Sequence, residues 1–117
     1  HRLTHAYESG DIDALVTLLT DDVAVAMPPL PLEYYGIEQA ARFLTAVTFR
    51  EGRTFRLVET RANGQPAFGT YVRDPRGGPL RATSLVVVTL AGDRVSALTR
   101  FDANVLTRFD LPLSLAD

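Results

Sequence analysis

The 117-residue sequence contains no cysteine, which excludes disulfide bonds and thiolate metal sites. This absence fits a reducing compartment, and we expect a cytoplasmic location. No apolar run approaches the length of about 20 residues that a membrane-spanning helix needs. The chain also lacks the basic, apolar and small-residue segments of a signal peptide, so we expect no membrane association.

Lysine is absent as well, and histidine is nearly so. All 12 basic residues are arginine and 14 residues are acidic, which gives a formal net charge of −2. Such a chain has no basic field to hold a phosphate backbone, so we expect no direct nucleic-acid binding. The only histidines are His1 and His5. Because neither an acid nor a cysteine supports these two histidines, they predict no metal site. Histidines at the chain start also cannot complete a Ser-His-Asp or Cys-His nucleophile set. We therefore expect no cofactor.

What the sequence does contain is a long pair of strand-forming segments. They run from Leu80 to Ala91 and from Arg94 to Asp102, with Gly92-Asp93 between them. Valine, leucine, threonine and alanine dominate both segments, and these residues suit the half-buried surface of a strand. Glycine at the first turn position allows a tight two-residue turn. We therefore predict a long β-hairpin as the centre of the fold.

The turn also predicts the register of this hairpin, because it pairs Ala91 with Arg94. The pairs that follow are Leu90–Val95, Val88–Ala97 and Ser84–Phe101. Together with Val86 these residues would form one apolar face, which we expect to be core. The other face would be apolar in the middle and charged at one end, which suits a pocket or a subunit contact. Its predicted members are Thr83, Leu85, Val87, Thr89, Ser96, Leu98, Arg100 and Asp102.

The rest of the chain predicts helices first and antiparallel strands afterwards. Helices are predicted at Arg2–Ser9, Ile12–Leu19 and Ile37–Val47, with a short one in the tail at Asn104–Phe109. Strands are predicted at Val23–Met27, Glu33–Tyr35, Phe55–Arg61 and Pro66–Asp74, the last two joined by an Asn63-Gly64 turn. This order predicts one α+β domain over residues 1–117, with helices on one face of a curved sheet. Such a cone encloses a cavity, which is the default ligand site.

Several stretches resemble a known family. The run AYESGDIDALVTLLTDDVAVAMPPLPLEYYGIEQAARFL, from Ala6 to Leu44, resembles the opening of SnoaL-like domains of the NTF2-like, or cystatin-like, cone fold. Three segments are similar to the C-terminal extension of certain actinobacterial extracytoplasmic-function (ECF) sigma-70 factors. These segments are MPPLPLEYYG, TRANGQPAFGTYVRD and LAGDRVSALTRFDANVLTRFDLP.

The narrower resemblance implies a regulatory role rather than catalysis. In those sigma factors a SnoaL-like domain follows the two regions that bind DNA and polymerase. The domain would contact these regions, and through them RNA polymerase, and tune transcription initiation. A small apolar ligand in the cone could bias that contact if it binds one arrangement better than another. A homodimer held through one sheet face is a further hypothesis.

An enzyme is the alternative, and Asp102 is its sharpest candidate residue. In cone-fold enzymes such as polyketide cyclases, an Asp near the end of a late strand can act as general base, and Phe101-Asp102 resembles that ending. Arg100 lies two residues away and is predicted on the same face. An epoxide hydrolase of this type would need a second Asp, and an isomerase would need a second, protonated acid. Neither is evident, so an ion pair between Arg100 and Asp102 is the structural alternative.

Aromatic residues and a methionine are the candidates to line a cavity. Tyrosine combines an apolar ring with a polar tip, which can orient a small ligand. Each of these side chains could equally be core or interface. The predicted ligand-binding residues are Met27, Tyr34, Tyr35, Phe43, Phe68 and Tyr71.

Overall fold

Two short helices open the chain, two strands follow, and a third helix precedes the remaining strands. The computed structural model describes residues 2–28, 30–48, 55–62, 64–73 and 78–115. The helices are α1 (Arg2–Ser9), α2 (Ile12–Thr17) and α3 (Gly36–Phe43), which continues as a π-helical turn (Leu44–Thr48). The strands are β1 (Leu19–Ala26), β2 (Glu33–Tyr35), β3 (Phe55–Ala62), β4 (Gln65–Arg73), β5 (Leu80–Ala91), β6 (Arg94–Asp102) and β7 (Ser114–Leu115). A 3-10 helix (Ala103–Phe109) lies between β6 and β7.

The strands form one mixed sheet. Its order is β2-β1-β6-β5-β4-β3, and only the β1–β6 pair is parallel. Strand β7 pairs with the start of β5, next to Leu80 and Arg81, where β6 has already ended. The predicted α+β architecture is therefore confirmed. In the part of the chain that the structure describes, no helix is long and apolar enough to cross a membrane.

The central hairpin has the predicted bounds, but its predicted register is only partly right. The pairs Ala91–Arg94 and Leu90–Val95 are confirmed. Beyond them Ser96 is an extra residue in β6, a β-bulge that shifts the remaining pairs by one. The predictions Val88–Ala97 and Ser84–Phe101 are therefore wrong. The pairs are instead Thr89–Ala97, Val88–Leu98, Leu85–Phe101 and Ser84–Asp102.

The bulge decides which residues of β6 are buried. Strict alternation from Val95 would bury Ala97, whereas the extra residue lets both Val95 and Leu98 face the same side, and both are buried. Leucine offers more apolar surface than alanine, so this register buries more of it. A second irregularity, in the β4–β5 pair, leaves Thr83 as the extra residue between Ser84 and Ala82. The predicted division of the hairpin into two faces is corrected accordingly.

The inner face of the sheet is the one that the helices cover. Its strand residues include Val25, Phe55, Phe68, Val86, Val88 and Leu98, which pack against Tyr7, Leu15, Phe43 and Leu44 from the helical segments. The ring of Tyr7 meets Phe55 and Phe68 edge to face, with centroids 5.2 and 5.4 Å away. Side chains from sheet and helices thus fill the middle of the cone.

The outer face is covered by the chain's own tail. Tyr71, Leu85 and Val87 of the sheet form a second buried cluster with Leu106 of the 3-10 helix and Leu111. Gly69 is the close-approach point, because a Cβ there would lie 3.1 Å from Leu106 and 3.2 Å from Leu111. The expected helix in the tail is present as a 3-10 helix one residue longer at its start. The outer face is therefore not an open surface for a subunit contact.

Two predicted helices end earlier than their apolar patterns indicate. Helix α2 ends at Thr17, because Leu18 caps it and its carbonyl then accepts a hydrogen bond of 2.8 Å from the Val95 amide. Strand β1 begins at Leu19, before its predicted start at Val23. Helix α3 changes to a π-helical turn after Phe43. The predicted turn residue Asn63 and the predicted strand end at Asp74 lie outside the described residues.

Candidate functional site

The bulge in β6 turns the two predicted catalytic residues towards the inner face. Arg100 pairs with Val86, and Asp102 pairs with Ser84, so each shares a face with its partner. Val86 is buried in the helix-covered cluster and Ser84 is 1% exposed. The predicted location of Arg100 and Asp102 on one face is thus observed, although that face is not the one expected from the turn.

Asp102 has a structural task at this position. It is the N-cap of the 3-10 helix, and its Oδ1 accepts a hydrogen bond of 3.1 Å from the Asn104 amide. Capping satisfies an amide that the first helical turn cannot satisfy by itself. The residue is exposed, and no ion pair joins it to Arg100 within residues 78–115. The ion-pair alternative is therefore wrong, and the carboxylate faces water rather than an apolar cavity.

A buried hydroxyl cluster lies beside Asp102 in the sheet. Thr70 Oγ1 lies 2.6 Å from both Ser84 Oγ and Thr83 Oγ1, and Thr83 Oγ1 donates to the Thr70 carbonyl at 3.1 Å. The bulge at Thr83 brings the three hydroxyls together. Among the described residues no buried side-chain nitrogen or oxygen is left without a hydrogen bond. The cluster is internally satisfied, and no acid or imidazole is among the recorded partners of its hydroxyls.

Sequence reasoning gave no function to this cluster. The signal for it was a Thr-Ser pair before the apolar run Leu85–Val88 of β5, together with one threonine in β4. Because the contact depends on a bulge, spacing along either strand does not reveal it. Polar residues inside an apolar strand are the pattern that would justify looking for such partners.

Four of the six predicted ligand-binding residues lie on the helix-covered side. Tyr34 and Phe43 are in ring contact, with centroids 5.3 Å apart, and Met27 packs on the same cluster. Phe68 is 2% exposed and packs against Tyr7. The structure thus brings Tyr34 and Phe43 into contact, whereas Met27 and Phe68 belong to the same cluster without a recorded ring contact to them.

The other two predicted residues lie elsewhere. Tyr35 is 58% exposed, and its hydroxyl donates to Glu33. This hydrogen bond is the main reason that the pKa of Tyr35 is raised, followed by the charge of Glu33 and slight burial. Tyr71 is fully buried on the outer face, where its hydroxyl donates to the Pro112 carbonyl at 2.7 Å. Burial raises the pKa of Tyr71.

A groove lined in part by Arg2, Leu3 and Thr4 of α1 lies over the sheet. We call it the α1 groove; its volume is about 850 Å³. Its apolar floor includes Phe68, Val88 and Val95. Charges of both signs stand around this floor, at Arg2, Glu59, Arg61 and Asp93. Of the predicted ligand-binding residues, Phe68 lines this groove, while Tyr34 and Phe43 line a separate, shallow cavity of about 480 Å³.

A metal centre has no support in the part of the chain that is described. No group of three or more His, Asp or Glu side chains comes together there. His5 is exposed on α1, and His1 lies outside the described residues. The arrangement as a whole offers a binding groove and buried hydroxyls rather than an acid–base pair.

Comparison with known proteins agrees with this geometry. A profile described as "SnoaL-like domain" matches residues 1–98. The ECF RNA polymerase sigma factor SigG of Mycobacterium tuberculosis is 35% identical over 120 residues, which cover 97% of this chain and 31% of the sigma factor. The chain thus spans about a third of the length of that curated relative.

Solved structures confirm the cone fold. A cystatin-fold protein from Novosphingobium aromaticivorans has a TM-score of 0.64 and 20% identity, covering 85% of this chain and 91% of its own. An LEH-like epoxide hydrolase of M. tuberculosis has a TM-score of 0.63 and 14% identity, covering 86% and 77%. At such identities the likeness concerns the fold alone. The profile match, which covers most of the chain, shows that this protein belongs to the SnoaL-like domain family.

Proposed function

We propose that this chain is the non-catalytic regulatory SnoaL-like domain of an ECF sigma-70 factor and that it modulates transcription initiation. The observation that carries the proposal is the extent of the similarity to SigG. It covers 97% of the chain, whereas the SnoaL-like profile ends at residue 98. The shared region therefore includes most of the tail that covers the outer face, which lies outside the residues that the profile matches.

The sigma regions would be the direct partner, and RNA polymerase would be reached through them. The net charge of −2 argues against contact with promoter DNA by this domain. Regulation requires that the domain bind one arrangement of the sigma regions more tightly than another. A small apolar ligand in the α1 groove, next to Phe68, would shift that balance if it favours one arrangement.

Transcription in vitro tests this proposal. A full-length sigma factor containing this domain is compared with a version that ends before residue 1 of the present chain, using the same promoter and core polymerase. We expect the amount of initiated transcript to change when the domain is removed. Equal transcript levels across a range of sigma concentrations would contradict a regulatory role.

A domain replacement is the matched control for this experiment. An unrelated SnoaL-like domain in the same position keeps the fold and the approximate chain length but removes these particular surfaces. If the effect depends on specific contacts, the replacement should behave like the deletion. If it behaves like the intact factor, the domain acts only as a spacer, and the proposal is wrong in its mechanism.

A second candidate function is a small SnoaL-like enzyme that uses Asp102 as general base with Arg100 beside it. The observation in its favour is that both residues share the inner sheet face with Ser84 and its hydroxyl cluster. Asp102→Asn is the sharp test, because asparagine caps a helix about as well as aspartate but cannot act as a base. Turnover of epoxides or ketosteroids by the wild type, lost in this variant, would establish catalysis.

A further inference from the structure

A further, smaller pocket lies on the outer face of the sheet, and it shares no lining residue with the α1 groove. We call it the outer pocket; its volume is about 320 Å³. Its floor is formed by Leu85, Val87 and Phe101 of the central hairpin, and Val105 and Phe109 of the 3-10 helix form its roof. Ligand pockets in proteins begin at about 300 Å³, so this one suits a molecule with a single ring and a short side chain.

The lining of the outer pocket carries charge of one sign. Among the described residues that line it, Arg108 is the only charged one and none is acidic. Within the described residues Arg108 forms no ion pair, and it is exposed in the last turn of the 3-10 helix. The polar lining residues Gln65 and Thr99 are uncharged, and the Gln65 amide nitrogen already donates to Thr89 at 2.9 Å.

We propose that the outer pocket binds a small aromatic carboxylic acid. The aromatic ring of the ligand would pack against the two phenylalanine side chains and the aliphatic floor, because the removal of apolar surface from water is favourable. The guanidinium of Arg108 would take the carboxylate, because its planar set of donors matches two carboxylate oxygens. A neutral ligand of the same shape would fill the pocket but leave this cation unused.

Such a ligand would also hold the tail against the sheet. The roof of the pocket belongs to the 3-10 helix, whereas the floor belongs to β5 and β6. A ligand that contacts both therefore binds only when the 3-10 helix is docked, and it stabilises that state. This inference does not depend on the proposed sigma-factor role, because the pocket is formed entirely within this chain.

Titration of the 117-residue chain with 3-phenylpropionate, followed by NMR of its backbone amides, tests the proposal. We expect saturable shifts at Leu85, Val87 and Phe101. The neutral isostere 3-phenylpropanamide should bind the same residues at least fivefold more weakly. Absence of saturable shifts, or shifts confined to the α1 groove, would overturn the proposal.

Two variants assign the roles of charge and shape. Arg108→Gln should weaken binding of the acid at least fivefold and leave the amide unchanged, while Arg94→Gln, at an exposed arginine outside the pocket, should change neither. Val105→Trp should fill the pocket and abolish binding of both compounds. If that variant does not fold, Arg108→Gln still decides, because its side chain is exposed. Equal affinity for the acid in wild type and Arg108→Gln would refute the assigned carboxylate contact.

Discussion

The inner and outer faces of the sheet are both buried, but different parts of the chain cover them. The inner face is covered by the three helices, through Tyr7, Leu15 and Phe43. The outer face is covered by residues 103–115, through Leu106, Leu111 and Leu115. The family profile ends before this segment, at residue 98. The profile match therefore covers the helices and most of the sheet, whereas the tail that covers the outer face lies outside the matched residues and inside the region similar to SigG.

The difference has a physical consequence for assembly. An uncovered sheet face that carries Leu85, Val87 and Tyr71 would be a contiguous apolar patch, and such patches attract other chains. Here the 3-10 helix and the tail remove that patch from water. The hypothesis of a homodimer through this face therefore conflicts with the folded tail. A dimer through another surface stays a prediction.

Of the changes considered, deletion of the tail from Ala103 onward should lower the stability of the protein the most. It exposes the outer face and removes two buried leucines, Leu106 and Leu111, each of which contributes about 1.5–3 kcal/mol by burial. We expect a large loss in the free energy of unfolding, measured with urea, and self-association in sedimentation experiments. A truncated chain that stays monomeric and as stable as the intact one would show that the outer face does not need its cover.

The next largest loss of stability is expected at Leu111, for which Leu113 serves as a matched control. Leu111 is 8% exposed and packs on Gly69, whereas Leu113 is 52% exposed. Leu111→Ala should lower the free energy of unfolding by about 2–4 kcal/mol, and Leu113→Ala by less than about 0.5 kcal/mol. Urea denaturation of both variants measures the difference. Equal losses would mean that the tail does not dock through Leu111.

Tyr71→Phe should show how the outer face responds to alkaline pH. The variant lacks the hydrogen bond to Pro112, and below pH 10 this should make it less stable than the wild type by about 0.5–1.5 kcal/mol. Burial raises the pKa of Tyr71 in the folded state above 10.0. The stability linked to this group is therefore fully present below pH 10 and is lost as pH rises through the folded-state pKa.

The measurement for Tyr71 is the difference in unfolding free energy between wild type and Tyr71→Phe as a function of pH. We expect a constant difference up to about pH 10 and a smaller one above it. All other residues are the same in both proteins, so their contributions cancel in the difference. A gap that widens with rising pH would contradict the assigned burial of the hydroxyl.

Two substitutions at Asp102 should give the smallest effect. Asp102→Ala removes the N-cap of the 3-10 helix and should cost about 1 kcal/mol, while Asp102→Asn should cost almost nothing. Thermal or urea denaturation of the two variants distinguishes a capping role from a charge-based one. If both variants lose the same amount, the carboxylate charge rather than the hydrogen bond to Asn104 stabilises the start of the tail.

The site shows where sequence reasoning reaches its limit. The hairpin, its turn and the presence of Arg100 and Asp102 on one face follow from local pattern, because turn chemistry and alternation act over a few residues. Which face of the sheet carries Arg100 and Asp102 does not follow from local pattern, because the extra residue Ser96 moves both to the opposite face. Tyr35 is separated from Tyr34 by the alternation of β2, which is local, whereas the position of Tyr71 on the outer face depends on the pairing of β4 with β5.

By itself, the sequence determined the class of fold, the order of its elements and the resemblance to SnoaL-like domains of sigma factors. Those features follow from hydrophobic periodicity and turn residues, which are local. Only the tertiary structure decided that Asp102 caps a helix, that three hydroxyls meet beside it, and that the tail seals the outer face. The physical reason is that bulges and tail docking are selected by the total apolar surface buried, which no short segment specifies.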